Sequence, residues 1–77
     1  MTIVVWSKYD CSYCEQAKML LKENGFEFEE RKIGDGYTRE ELLEAVPNAR
    51  SVPQIFIDGN LIGGFEKLKE WMTDANR

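Results

Sequence analysis

The stretch Ser7-Lys8-Tyr9-Asp10-Cys11-Ser12-Tyr13-Cys14 holds both cysteines of the chain, with two residues between them. Before it runs Thr2-Ile3-Val4-Val5-Trp6, a continuous β-branched and aromatic segment of the kind found in a central strand covered on both faces. From Ser12 to Asn24 the spacing becomes helical: Cys14, Ala17 and Leu21 share one face with Leu20 beside them, while Glu15, Lys18, Lys22 and Glu23 face water. A CxxC pair placed where a strand feeds a helix can cycle between dithiol and disulfide. Two cysteines are too few for a disulfide scaffold, so their use is chemical.

The rest of the composition narrows the chemistry. With 77 residues the chain reads as one domain, residues 1–77, with a small core. Histidine is absent, which excludes His-assisted nucleophilic triads and leaves a structural zinc site short of ligands. A net charge of −4 with ten scattered basic residues argues against nucleic-acid binding. No apolar run approaches the roughly 20 residues of a membrane span, and the N-terminus has no basic region or small-residue cleavage site. The expected location is a reducing cytoplasm.

Downstream, Gly25 supplies a left-handed helix stop, and Phe26 to Ile33 reads as an alternating, then densely charged, edge strand. Gly34-Asp35-Gly36 is a loop. Thr38 and Glu41 form a capping box, Tyr37 staples onto Leu42, and a short helix with Leu42, Leu43 and Val46 inward ends at Pro47-Asn48. Gln54–Ile57 and Leu61–Ile62 are antiparallel strands around Asp58-Gly59-Asn60. After Gly63-Gly64, Phe65, Leu68, Trp71 and Met72 recur at helical spacing. The order β-α-β-α-β-β-α predicts a four-stranded mixed sheet flanked by three helices.

Three constellations carry chemistry. Cys11 should lie at a helix N-terminus, where free N–H groups and the macrodipole favour a thiolate, with Lys8 adding positive charge. Cys14, turned toward the apolar face, should be less exposed and act second as the resolving thiol; the plain alternative for the pair is two small buried hydrophobes or half a metal site. In Ser51-Val52-Pro53, the proline opening a strand is either a trans edge residue or a cis turn; a cis bond would turn the Val52 backbone outward to pair with a peptide-like ligand. Gly63-Gly64 before Phe65-Glu66 permits close backbone approach to an anionic group, or is a plain turn.

Taken together, Lys8, Cys11, Ser12, Tyr13 and Cys14, then Ser51-Val52-Pro53, then Gly63-Gly64-Phe65-Glu66 resemble the glutaredoxins over nearly the whole chain. The resemblance implies a thioredoxin-like fold, a dithiol active site and glutathione as reductant. By it, Lys8 would pair with the glycine carboxylate, Tyr13 would line the sulfur site, and Val52, within a glutathione-binding element of Ser51, Val52 and a cis Pro53, would pair its backbone with the cysteinyl residue. Gly64, Phe65 and Glu66 would hold the γ-glutamyl end. The family's Gln, Arg or Lys of the second helix falls at Glu40 by ungapped spacing, with Arg39 beside it, and Arg39 is assigned that role. Ser12 replaces the commoner Pro, Ser51 replaces Thr, and Glu66 stands where Asp is usual.

The implied activity is a glutathione-disulfide oxidoreductase acting on protein disulfides and glutathione mixed disulfides, as a monomer needing no metal. Ribonucleotide reductase is a candidate partner, and no nucleic acid or membrane is expected. Two other readings share the cysteine pair. A redoxin coupled to thioredoxin reductase would typically carry Trp-Ser-Gly-Phe-Arg-Pro where this chain has Gly63-Gly64-Phe65-Glu66-Lys67. A dimer bridging a [2Fe-2S] cluster through Cys11 and glutathione is kept open by Ser12, because loss of Pro occurs in some cluster-holding relatives.

Overall fold

The computed structural model describes residues 1–75. Strand β1 (Ile3–Lys8) lies in the middle of the sheet, parallel to β2 (Glu29–Ile33) on one side and antiparallel to β4 (Gln54–Ile57) on the other. Because side chains alternate along a strand, Ile3 and Val5 enter one core and Val4 and Trp6 the other. Helices α1 (Ser12–Glu23) and α3 (Phe65–Ala75) cover the first face through Ala17, Leu21, Leu68 and Met72. The short α2 (Arg39–Ala45) covers the second through Leu42, with Val46 at its end. The continuous apolar run of β1 is thus accounted for by burial on both sides.

Sequence chemistry fixes most of the boundaries. At the end of α1, the Phe26 N–H donates to the Leu21 carbonyl at 3.0 Å and the Gly25 N–H to that of Lys22 at 3.1 Å, a Schellman closure. At the start of α2, the Glu41 N–H donates to Thr38 Oγ1 at 3.1 Å and the Thr38 N–H to Glu41 Oε1 at 2.9 Å, completing the capping box. Tyr37 and Leu42 sit in the same apolar cluster, as a staple requires. Strand β4 turns into β5 (Asn60–Gly63) through Asp58 and Gly59, both at positive φ, the two-residue hairpin turn that matches strand twist.

Two details differ from the pattern-based expectation. The strand expected from Phe26 begins at Glu29, because Phe26 and Phe28 are drawn out of the ladder to pack against the α1–α3 core. Nor is that strand wholly an edge: Gly36–Tyr37, expected as part of loop and cap, forms a two-residue strand β3 parallel to Lys32–Ile33. The sheet order is therefore β3-β2-β1-β4-β5, four principal strands and one short one. Arg31 fills the exposed end of this edge, its guanidinium 5.4 Å from the Trp6 ring and 5.8 Å from that of Tyr37.

One polar tie joins three elements beneath the cysteine stretch. Ser7, fully buried, donates from Oγ to Glu30 Oε2 at 2.7 Å, and Lys18 Nζ of α1 donates to the same oxygen at 2.7 Å while pairing with Glu15 at 2.8 Å. Burial alone would raise the Glu30 pKa, but hydrogen bonds from Lys18 and Ser7 and the charges of Lys18 and Lys32 outweigh it and hold the carboxyl below its ordinary value. For Lys18, burial works downward, and the bonds and charges of Glu15 and Glu30 overcome it and raise the pKa.

Two stability measurements check this account. Leu21→Ala, at a position with no exposure, is expected to cost about 2–5 kcal/mol in urea unfolding. A carboxyl whose pKa is lowered on folding stabilises the fold above its unfolded pKa, and that contribution is lost as pH falls through the folded value. Wild type should therefore exceed Glu30→Gln by roughly 1–2 kcal/mol at neutral pH. The gap should be steady down to pH 5 and shrink below the ordinary carboxyl value of 4.5.

Candidate functional site

Strand β1 ends at Lys8, and a tight loop through Asp10, at φ 54°, delivers Cys11 to the N-cap of α1. In that position its extended backbone lets the Cys11 carbonyl accept from the Glu15 N–H at 3.1 Å, while Cys11 Sγ accepts from the Cys14 N–H at 3.2 Å. A sulfur receiving an N–H at a helix start is held where negative charge is favoured. Cys11 and Cys14 are joined as a disulfide with Cα atoms 5.3 Å apart. Cys14 is wholly buried and Cys11 partly exposed, so the first sulfur is the one a substrate can reach.

Across from the helix start lies Val52, in the loop that enters β4. Its carbonyl oxygen is 3.6 Å from Cys11 Sγ, and the Val52–Pro53 peptide bond is cis. The alternative left open by the sequence is thereby decided for the turn form. Beyond it, Gly63 at φ 116° and Gly64 lead into α3. A Cβ on Gly63 would stand only 2.9 Å from Lys67 Cγ, so this glycine lets the corner close, whereas one on Gly64 would meet the Pro53 carbonyl oxygen at an ordinary contact distance of 3.4 Å.

Two shallow grooves meet at Ser51 and Val52, which line both. The first, about 200 Å³, runs past Lys8, Arg39 and Arg50 over an apolar floor that includes Ile33 and Leu42. The second, about 370 Å³, is walled by Tyr13 and Phe65, whose rings are 6.1 Å apart, and closed by Pro53, Gly64 and Glu66. Glu66 is exposed and 3.4 Å from Lys69, a surface pair that holds it loosely. Of the residues singled out by the sequence, Lys8 and Arg39 line the first groove and Tyr13, Pro53, Gly64, Phe65 and Glu66 the second, with Ser51 and Val52 common to both and Val52 next to Cys11. Arg39, the first residue of α2, lines the first groove with Lys8, whereas Glu40 does not. Arg50 and Lys67 were not foreseen as lining residues; the position of Arg50 directly before Ser51 was the available signal.

Among the described residues, no cluster of three or more His, Cys, Asp or Glu side chains could hold a metal ion, and no helix is long and apolar enough to cross a membrane. The arrangement has the parts for thiol-disulfide exchange: a partly exposed sulfur at a helix start, a buried second sulfur, and a peptide carbonyl 3.6 Å from the first.

A glutaredoxin family profile matches residues 3–62. Glutaredoxin 3 of Escherichia coli is 40% identical over 67 residues, which are 86% of this chain and 80% of the relative. Glutaredoxin 1 of Francisella tularensis, solved with cacodylate, superposes with a TM-score of 0.80 at 31% identity, covering 99% of this chain and 98% of its own. A buckwheat glutaredoxin–glutathione complex superposes with a TM-score of 0.80 at 30% identity, covering 95% of this chain and 69% of its own.

In the reduced protein at mildly acidic pH, iodoacetamide should label Cys11 at least about tenfold faster than Cys14, as resolved by peptide mass spectrometry. Equal labelling would contradict the assignment of first and second sulfur.

Proposed function

The chain belongs to the glutaredoxin family of thiol-disulfide oxidoreductases, and from that premise we propose that it is glutathione-dependent, reducing protein disulfides and glutathione mixed disulfides in the cytoplasm. The observation that carries this reading is the meeting of a cationic groove and a glycine-cornered groove at Val52, whose carbonyl lies 3.6 Å from Cys11 Sγ. Glutathione has a carboxylate at one end, a carboxylate and an amine at the other, and a cysteinyl peptide between. Lys8 and Arg39 suit the glycine carboxylate. Ser51, Val52 and Pro53 suit the peptide, in the manner of an added strand. The first N–H groups of α3, at Phe65 and Glu66 after Gly64, suit the γ-glutamyl carboxylate, with the Glu66 side chain for the amine. Tyr13 and Phe65 would flank the reacting sulfurs.

The reaction runs in two exchanges. Cys11 thiolate attacks the glutathionyl sulfur of a mixed disulfide, forming a Cys11–glutathione disulfide and releasing the other thiolate, which takes a proton from solvent. A second glutathione thiolate then attacks the glutathionyl sulfur on Cys11, producing glutathione disulfide and regenerating Cys11. With a protein disulfide, Cys14 attacks Cys11 Sγ instead and closes the intramolecular disulfide, which two glutathiones later reduce.

Cys11→Ser should reduce turnover in a glutathione-coupled assay to background on every substrate. Cys14→Ser should retain turnover of glutathione mixed disulfides and lose dithiol reduction of protein disulfides. Unchanged activity in Cys11→Ser, or no wild-type turnover with glutathione, would defeat the proposal.

A further inference from the structure

Three of the ten basic residues of an acidic chain converge on one small groove: Lys8 from the end of β1, Arg39 from the start of α2, and Arg50 from the loop before Val52. No carboxylate lines that groove, and among the described residues no ion pair engages any of the three. Stability does not explain the arrangement. No ion pair among the described residues rewards their gathering, and Arg39 occupies the first turn of α2, the end of a helix where the macrodipole disfavours a cation. One glycine carboxylate calls for one or two such partners, which leaves charge in excess.

We infer that this groove selects protein disulfides whose reactive cysteine is followed in sequence by acidic side chains. The inference rests on the reading just given, in which the residue after the substrate cysteinyl group points toward Lys8 and Arg39. A polypeptide bound across Val52 in the same sense lays its next residues along the groove, and aspartate or glutamate there meets Arg39 and Arg50. The floor through Ile33 and Leu42 is apolar, so these charges act beside a surface of low polarity, where they are screened less than in open water. The same cations offset the repulsion between an acidic substrate and the attacking thiolate. Chemistry is unchanged: Cys11 thiolate attacks the substrate disulfide and one substrate thiolate leaves and is protonated, then Cys14 closes on Cys11 and releases the second.

The experiment follows reduction of synthetic peptide disulfides by pre-reduced protein, using two isomeric peptides, one with two aspartates directly after the cysteine and one with the same aspartates directly before it. Both carry the same charge, so the long-range field of a chain at −4 treats them alike. The inference expects the first isomer to be reduced about tenfold faster, an advantage that falls several-fold in about 0.5 M salt and in Arg50→Gln, and returns in Arg50→Lys. Arg50 is exposed, so neither variant disturbs the core. Equal rates for the isomers, or an advantage untouched by Arg50→Gln, overturn the inference while thiol-disulfide exchange stands. Failure to reduce either peptide, together with failure on a glutathione mixed disulfide, overturns the underlying reading and this inference with it.

Discussion

Residues 41 positions apart meet at the reacting sulfur, and they meet because β1 and β4 are hydrogen-bonded neighbours. The register Ile3↔Ile57 through Trp6↔Gln54 brings the loop before β4 beside the loop after β1, which sets Val52 against Cys11. The parallel pairing of β1 with β2 carries Lys8 alongside Ile33 at the same end of the sheet. α1 and α3 then clamp one face and α2 the other. Each component of the site hangs from an element that touches β1 directly or through one neighbour.

The two faces of the sheet serve different ends. The α1–α3 side holds the larger core, with Val5, Leu21, Ile55 and Leu68 fully buried, and there stability resides. The α2 side is thinner, built on Trp6, Leu42 and Val46 with half-buried Ile33, Val52 and Phe56, and its outer surface is the floor of the cationic groove. The cationic groove thus lies over the smaller cluster and the second groove against α1 and α3, while the cysteine helix is anchored in the larger cluster, with the Ser7–Glu30–Lys18 tie fixing α1 to two strands.

Much of this was legible in the chain because it is written locally. The capping box at Thr38 and Glu41, the stop at Gly25, the Asp58-Gly59 turn and the change of period at Cys11 each depend on residues within a turn of one another. What escaped was set by pairing at a distance. The displacement of Phe26 and Phe28 from β2 reflects the pull of a core assembled from α1 and α3, and β3 exists only because Lys32 and Ile33 leave an edge unfilled. The cis form of Val52–Pro53 was one of two outcomes open to the residues alone. Arg50 carries no motif of its own, and joins Lys8 and Arg39 only through the approach of three separate elements.

The N-cap of α1 is a sulfur, and that fact ties the helix to the electron chemistry. A cap made by serine or aspartate keeps one charge state throughout the life of the protein. Here the capping atom is an anion when Cys11 is a reduced thiolate and a neutral disulfide sulfur when it is bonded to Cys14. Around a thermodynamic cycle, whatever the cap and helix field contribute to the thiolate must reappear as a preference of the folded chain for its reduced form. Only the part of the stability of α1 that differs between the two forms enters the redox balance. A substitution in the first turn of α1 that stabilises the thiolate and disulfide forms unequally shifts the balance between donating and accepting electrons without touching either sulfur, and one that stabilises both alike leaves it in place.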